Sequence, residues 1–267
     1  MLHRVLTLYD WQENFNFPAH PEFVVALVND AGMRPTKASF FVPVPGKKDS
    51  KERRRTLYKN TRLMDLVSEF RLYQGFELCV PINRNFLNLE SDMSLDISPG
   101  RSITYQISKA PDALPLPDVI RHIRLFCTKA SPRYGFSRVS EGPEAASFAK
   151  GIGGMGRPRE ENFRADALGS SLIWTKQHLA GRFLDVYELN VLSPVHMKAK
   201  VQGQSLGDWI RSGQHGELVE INDSVTLWLV PEKLRDPIRA RLWREGLFID
   251  DSMPEIWTLD ISHIRPA

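Results

Sequence analysis

The amino-acid sequence predicts an α+β protein with largely antiparallel sheets, helices packed on one side of them, and two lobes. Short β-branched or aromatic runs, which are typical of strands, recur along the chain. Helical patterns fall between them without the regular strand–helix–strand alternation of a doubly wound parallel sheet. A proline-rich segment at 110–117 divides the chain near its middle and favours an extended path.

The predicted strands are short apolar runs bounded by polar, glycine or proline residues. They span residues 5–9, 23–28, 39–44, 77–82, 103–108, 171–175, 183–191, 217–221, 225–230 and 256–260. Runs of this length suit hairpins and meanders, in which neighbouring strands pair in antiparallel fashion.

Helices are predicted where apolar residues recur at intervals of three and four. One such pattern covers 63–70, and another covers 119–127 behind Pro117, which suits a first helical turn. A third helix begins at Ser205, whose pattern resembles a capping box, and ends before Gly213. A fourth begins at Pro231 and ends at Gly246.

The length of 267 residues suits one large domain or two small ones. The proline-rich segment gives an N-terminal lobe at 1–112 and a C-terminal lobe at 113–267, which we expect to form one compact unit. Two cysteines do not make a disulfide framework. No secretory signal pattern or membrane-spanning run is seen, so we expect a cytoplasmic protein with no membrane partner.

Charge is unevenly distributed along a chain whose net charge is +3. The segment 47–59 is strongly basic, and we interpret it as a solvated loop rather than a phosphate-binding patch. Three stretches, 85–100, 212–232 and 245–264, contain acidic residues and no Lys or Arg. Each is a solvated face or a landing surface for a basic partner.

Motifs for catalysis are nearly absent, and we predict no enzyme activity, no cofactor and no metal site. The glycines at 151–156 match G-x-G-x-x-G, but a helical pattern and not a strand precedes them, which argues against a dinucleotide site. The histidines lack zinc-hydrolase spacing, and no nucleophile elbow or Walker loop is found. The acid-x-Lys motif of a metal-dependent nuclease falls only at 49–51, inside the basic run.

A family resemblance is carried by residues 185–196, which read DVYELNVLSPVH. They resemble the block "strand, Asn, Leu-Ser-Pro-x-His, helix" of bacterial immunity proteins, most closely immunity protein family 52 and the related type VI immunity family. The helix start at Ser205, the hairpin at 217–230 and the helix at 231–246 continue the similarity to residue 249. Tyr134-Gly135-Phe136 fits the pattern loosely.

The resemblance implies an immunity protein that binds and neutralises a cognate type VI-secreted toxin, with nucleases among the expected toxins. The producing cell would keep it in the cytoplasm as one half of an effector–immunity pair used in bacterial competition. Inhibition requires no catalytic residues of its own. Many such inhibitors are strongly acidic, whereas this chain is +3, so any acidic contact face must be local.

We place the predicted toxin contacts on two acidic loops. Their residues are Glu90, Asp92, Asp96, Asp250, Asp251 and Glu255. Reversing the charges of Asp92 and Asp250 together should weaken toxin binding by more than about tenfold. Asn190, Pro194 and His196 are interpreted as structural. The tryptophans are assigned to the core by default, and one or two of them remain candidates for anchoring a partner.

Two alternatives of other classes stay open. A nucleic-acid-binding module using the basic run 47–59 predicts salt-dependent binding to any duplex, although we do not expect nucleic acid as the partner. An uncharacterised enzyme with a site assembled in space predicts a concave pocket that holds titratable groups with shifted pKa values.

Overall fold

The structure is a computed structural model that describes residues 2–11, 37–43, 50–56, 75–81, 91–98, 102–107, 115–128, 130–141 and 176–249. Its centre is a ten-stranded sheet in which every neighbouring pair is antiparallel, with strand order β11-β12-β8-β7-β1-β6-β5-β4-β2-β3. Together with its helices, this sheet confirms the α+β class.

Ten strands form the sheet. They are β1 (Leu2–Trp11), β2 (Lys37–Pro43), β3 (Ser50–Thr56), β4 (Gly75–Pro81), β5 (Ser91–Ser98), β6 (Ser102–Ile107), β7 (Pro132–Glu141), β8 (Leu189–Leu192), β11 (Glu217–Asn222) and β12 (Val225–Leu229). A separate two-stranded ribbon is formed by β9 (Lys200–Val201) and β10 (Gln204–Ser205).

Four α-helices and a short 3-10 helix lie within the described ranges. They are α1 (Leu116–Cys127), α2 (Pro194–Lys198), α3 (Leu206–Ser212) and α4 (Glu232–Arg244), with the 3-10 helix at Gln177–Ala180. The predictions of α1, α3 and α4 are confirmed. None of these helices is both long and apolar enough to cross a bilayer.

The sequence located most of the described strands but shortened or missed some of them. The prediction at 183–191 was too long, because only Leu189–Leu192 forms β8 and Phe183 instead makes a single parallel bridge with Phe248. Strands β3, β5 and β7 were not predicted. The predicted strands at 23–28, 171–175 and 256–260, and the predicted helix at 63–70, lie outside the described residues.

The basic run was interpreted as a loop, and this interpretation is wrong for its central part. Residues Ser50–Thr56 form β3, which pairs with β2 and ends the sheet on one side. An open edge exposes unpaired backbone groups, and lysine and arginine on an edge strand discourage pairing with other chains. The basic charge of this segment is typical of a strand at the end of a sheet.

The acidic segment around Asp92 and Asp96 was predicted as a loop and is also a strand. Both residues lie in β5, an inner strand that pairs with β4 and β6. The Cα of Asp96 is paired with Glu77 on one side and Thr104 on the other. The sequence did not predict this strand, because β5 is rich in polar and small residues and has little of the β-branched and aromatic content that is typical of strands.

The part of the sheet formed by β1, β7, β8 and β12 is buried on both faces. Tyr9, Tyr134, Phe136, Leu192 and Trp228 belong to one core cluster, which also includes residues of α3 and α4. On the same strands, the alternate residues Leu6, Leu8, Leu189, Val191 and Leu227 are buried as well. Successive strand residues point to opposite faces. The second face of the sheet is therefore covered as well.

The sheet crosses the predicted boundary between the lobes. Strand β1, from the N-terminal segment, pairs with β6 on one side and with β7 on the other. Gly135 of β7 permits this approach, because a Cβ there would lie 2.6 Å from the carbonyl oxygen of Thr7. The division at residue 112 remains a prediction, but both predicted segments contribute strands to one sheet.

Candidate partner-binding surface

The Asn190 side chain of the predicted motif block serves the fold. Its Oδ1 accepts a hydrogen bond from the Tyr187 backbone N–H at 3.1 Å. Its Nδ2 donates to the Tyr187 carbonyl at 2.9 Å and to the Trp228 carbonyl at 3.3 Å. Asn190 is fully buried. It thus fixes the entry into β8 and the pairing of β8 with β12, and it has no atoms available for a partner.

Replacing Asn190 by alanine should lower the free energy of unfolding by about 2–3 kcal/mol, because it leaves buried backbone groups without their hydrogen bonds. Urea unfolding of the two proteins measures this difference. Asn222→Ala is the matched control, since the Asn222 side chain bonds the Ser224 N–H in an exposed turn. Equal effects of the two changes would contradict the role given to Asn190.

The Ser-Pro-x-His part of the block is the start of α2. Ser193 is the N-cap and Pro194 occupies the first turn. The His196 ring accepts at Nδ1 from the Ser193 backbone N–H at 3.4 Å and from the Ser193 hydroxyl at 2.9 Å. Its Nε2 lies 3.3 Å from the Arg182 carbonyl, so this nitrogen carries the proton. The sequence interpretation of these residues as structural agrees with this geometry.

Burial holds His196 in the neutral form. Its side chain is fully buried, and its ring stacks on Tyr134 with a centroid distance of 5.3 Å. The pKa of His196 is lowered from 6.5 to about 3, chiefly by desolvation. The hydrogen bond to the Arg182 carbonyl opposes this shift, and the nearby His178 adds a smaller lowering effect. A histidine enclosed in this way makes a poor general base, because it is shielded from substrate.

A second group of side-chain and backbone contacts anchors the hairpin formed by β11 and β12 to the core. Trp228 is fully buried and its Nε1–H donates to the His215 carbonyl at 2.8 Å. The His215 ring stacks on Trp209 at 3.7 Å between centroids. Gly216 has a φ of 105°, and a Cβ there would lie 2.3 Å from the Leu229 carbonyl oxygen. The hairpin is therefore held rigidly on the core.

The outer strand of this hairpin forms an acidic edge, which we define as Glu217, Glu220 and Asp223. Within the described residues, strand β11 pairs only with β12, and it ends the ten-stranded sheet opposite β3. All three acidic residues are exposed. Glu220 has a long contact of 3.5 Å with Arg211, and both side chains are largely solvated, so this ion pair contributes little. Acidic side chains and the end strand of the described sheet therefore coincide at this surface.

The sequence-predicted contact residues are only partly placed. Asp92 and Asp96 lie in β5, while Glu90, Asp250, Asp251 and Glu255 lie outside the described residues. The acidic edge belongs to the stretch 212–232, which sequence reasoning noted but did not select. The sequence does not show that β11 lies at the end of the sheet, because this position depends on the pairing of β12 with β8.

Tryptophan exposure separates one candidate anchor from the core. Trp209 and Trp228 are buried, whereas Trp243 on α4 is 63% exposed. The Trp243 ring packs against the Phe248 ring, with 5.8 Å between the ring centroids. Sequence spacing alone does not distinguish these tryptophans, because all three lie in regular helix or strand patterns.

Within the described ranges, no group of three or more His, Cys, Asp or Glu side chains is arranged to hold a metal ion.

Comparison with known proteins gives similarity of fold and no family. No family model matches the chain, immunity protein family 52 included, and no curated protein matches it. Among solved structures, the Pseudomonas aeruginosa T6SS (type VI secretion system) protein PA0821 has a similar fold, with a TM-score of 0.55. The match covers 93% of this chain and 74% of that chain at 14% identity, a level that shows the fold alone.

Proposed function

We propose that this protein is an immunity protein that binds and neutralises a toxin delivered by a type VI secretion system. The observation that carries the proposal is the fold shared with a T6SS protein over 93% of the chain. The motif block that suggested an immunity protein supports the same assignment. Asn190 and His196 of that block are occupied by structural hydrogen bonds, so we look for the toxin contact on an exposed surface.

The acidic edge is the surface that we propose for contact with the toxin. A nuclease cleft is basic or lined by metal ions, and opposite potentials speed encounter and fix orientation. The open side of β11 adds backbone donors and acceptors that an extended toxin segment can pair with. Because Gly216 and Trp228 hold the hairpin in place, the hairpin loses little conformational freedom on binding. The predicted contacts at Asp92 and Asp250 remain a second proposal.

Neutralisation requires the inhibitor to be in the compartment where the toxin acts. For a nuclease this compartment is the cytoplasm, which is the location that we propose. The compartment and the nature of the toxin are linked, because a toxin that attacks the cell envelope requires an inhibitor on the other side of the inner membrane. Fractionation of the native cells therefore also tests which class of toxin is neutralised.

Charge reversal at the acidic edge tests both the function and the surface. The probe is the purified, catalytically inactivated product of the toxin gene next to the gene for this protein, with binding measured by isothermal titration calorimetry. We expect tight binding by the wild type. The variant Glu217→Lys with Glu220→Lys should bind at least about tenfold more weakly, because two attractive charges become repulsive.

The control is Glu245→Lys, which reverses one acidic charge on an exposed residue outside the hairpin, half the charge change of the double variant. It should leave the affinity within about twofold. If the wild type does not bind the toxin, the immunity function is wrong. If the wild type binds and the double variant binds equally well, the function stands and the contact surface lies elsewhere. The variant Asp92→Lys with Asp250→Lys then tests the sequence-predicted loops in the same assay.

A further inference from the structure

The exposed side of α4 carries an ordered pattern that the proposed toxin contact does not use. Ile238 and Leu242 are buried and Leu234 packs on the core cluster. The opposite side, which we name the α4 outer face, is exposed at intervals of three and four residues. It consists of Lys233, Asp236, Pro237, Ala240, Trp243 and Arg244.

Trp243 gives this face an apolar centre. Among the described residues, only Val195 and Trp243 are large apolar side chains with substantial exposure, at 46% and 63%. Tryptophan is enriched at the centres of protein interfaces because it buries a large area with few rotatable bonds. Phe248 supports one edge of the indole, which restrains the ring before any partner arrives.

All residues of the α4 outer face except Lys233 are placed symmetrically about Ala240. Asp236 lies four residues before Ala240 and Arg244 lies four residues after it. Pro237 lies three residues before it and Trp243 three after it. Two such helices packed antiparallel about a twofold axis at Ala240 bring unlike residues together. Each Asp236 meets the other Arg244, each Pro237 meets the other Trp243, and the small Ala240 side chains allow close approach.

We infer that the α4 outer face binds a second copy of this chain, giving a twofold-symmetric dimer. A twofold interface uses one patch twice, so the patch must complement itself in charge and shape. The Asp236 and Arg244 positions satisfy this requirement. Asp236 also pairs with Arg239 of its own helix, but its side chain is 90% exposed and can accept a further donor.

The dimer should be weak and sensitive to salt. Helix α4 has 13 residues and is therefore about 20 Å long. A pair of helices this short buries less than the roughly 1,200 Å² of a standard stable interface. We therefore expect a dissociation constant of about 10–100 µM at low salt, rising several-fold in 0.5 M NaCl as the exposed ion pairs are screened.

Sedimentation velocity across a concentration series tests this interface with the full chain alone. Asp236→Arg and Arg244→Asp should each weaken dimerisation by at least about fivefold, because like charges then face each other. The double variant with both changes should recover most of the wild-type affinity, since each charge again meets its opposite. Trp243→Ala should abolish the dimer. Lys198→Asp, an exposed charge change on α2, is the control.

A circular dichroism melt of each variant establishes that it is folded. A wild type that stays monomeric at about 0.5 mM, well above the expected dissociation constant, overturns the inference. A double variant that dimerises no better than either single variant overturns it as well. If the monomeric wild type loses affinity for the inactivated toxin on Trp243→Ala, the α4 outer face belongs to the toxin instead. The toxin-binding proposal stands or falls separately, on whether the wild type binds toxin.

Discussion

Replacing Trp228 by alanine should lower the free energy of unfolding by about 3–5 kcal/mol, the range observed for large aromatic residues in close-packed cores. The side chain is fully buried, meets Phe183 edge-on at 6.1 Å between centroids, and hydrogen-bonds the His215 carbonyl. The change removes all three contributions at once. Urea denaturation at about 5 µM protein measures the loss, and a partly unfolded variant would show it as a reduced folded baseline.

Trp243→Ala is the matched control, because it removes the same atoms from an exposed site. Within the described ranges, the ring contact that is lost is the one with Phe248, so the cost should stay below about 1 kcal/mol. At 5 µM the proposed dimer is largely dissociated and does not add to the measured stability. A Trp243→Ala cost equal to that of Trp228→Ala would contradict the burial of these two residues.

Acid should destabilise the protein in part through His196. Its pKa is about 3 in the folded state and 6.5 in the unfolded chain, so both states are neutral above pH 6.5. Below that pH the unfolded chain takes up a proton that the folded protein does not, and stability falls. The slope approaches about 1.4 kcal/mol per pH unit, which gives a loss of about 2–3 kcal/mol between pH 7 and pH 4.5.

His196→Gln isolates this contribution from that of the carboxylates. Glutamine retains a side-chain acceptor and donor but does not titrate. The variant should be less stable than the wild type at pH 7, because it loses the ring stacking on Tyr134. Its disadvantage should shrink by about 2–3 kcal/mol at pH 4.5. A difference that stays constant from pH 7 to pH 4.5 would contradict a neutral, buried His196.

The helices of the C-terminal segment were predictable because capping residues close in sequence determine where they begin and end. Ser205 caps α3 by accepting from the Asp208 N–H at 3.1 Å, as its spacing indicated. Gly246, with a φ of 68°, ends α4, and the Gly246 and Leu247 N–H groups bond the Trp243 and Leu242 carbonyls. These signals involve residues within a few positions of each other, so tertiary structure is not needed to interpret them.

The strands that were missed owe their conformation to the strands that pair with them, and not to local propensity. Strand β3 is nearly all charged, and it extends because β2 pairs with it at the sheet edge. Strand β7 includes Pro132 and Gly135, which locally argue against a strand, yet it pairs with β1 and β8. Pairing across more than a hundred residues is not visible in a local pattern. The same limit left the acidic edge unselected, because only the strand order places β11 at an end.

Protection of cells from killing by a sister strain tests the central claim most directly. Recipient cells lacking this gene are mixed with sister cells that deliver the cognate toxin, and survivors are counted. The immunity proposal predicts that the recipients die, that the wild-type gene restores their survival, and that Glu217→Lys with Glu220→Lys restores it less well at equal protein level. Recipients that survive equally well with and without the gene, while the same toxin kills an unrelated strain, would contradict the proposal.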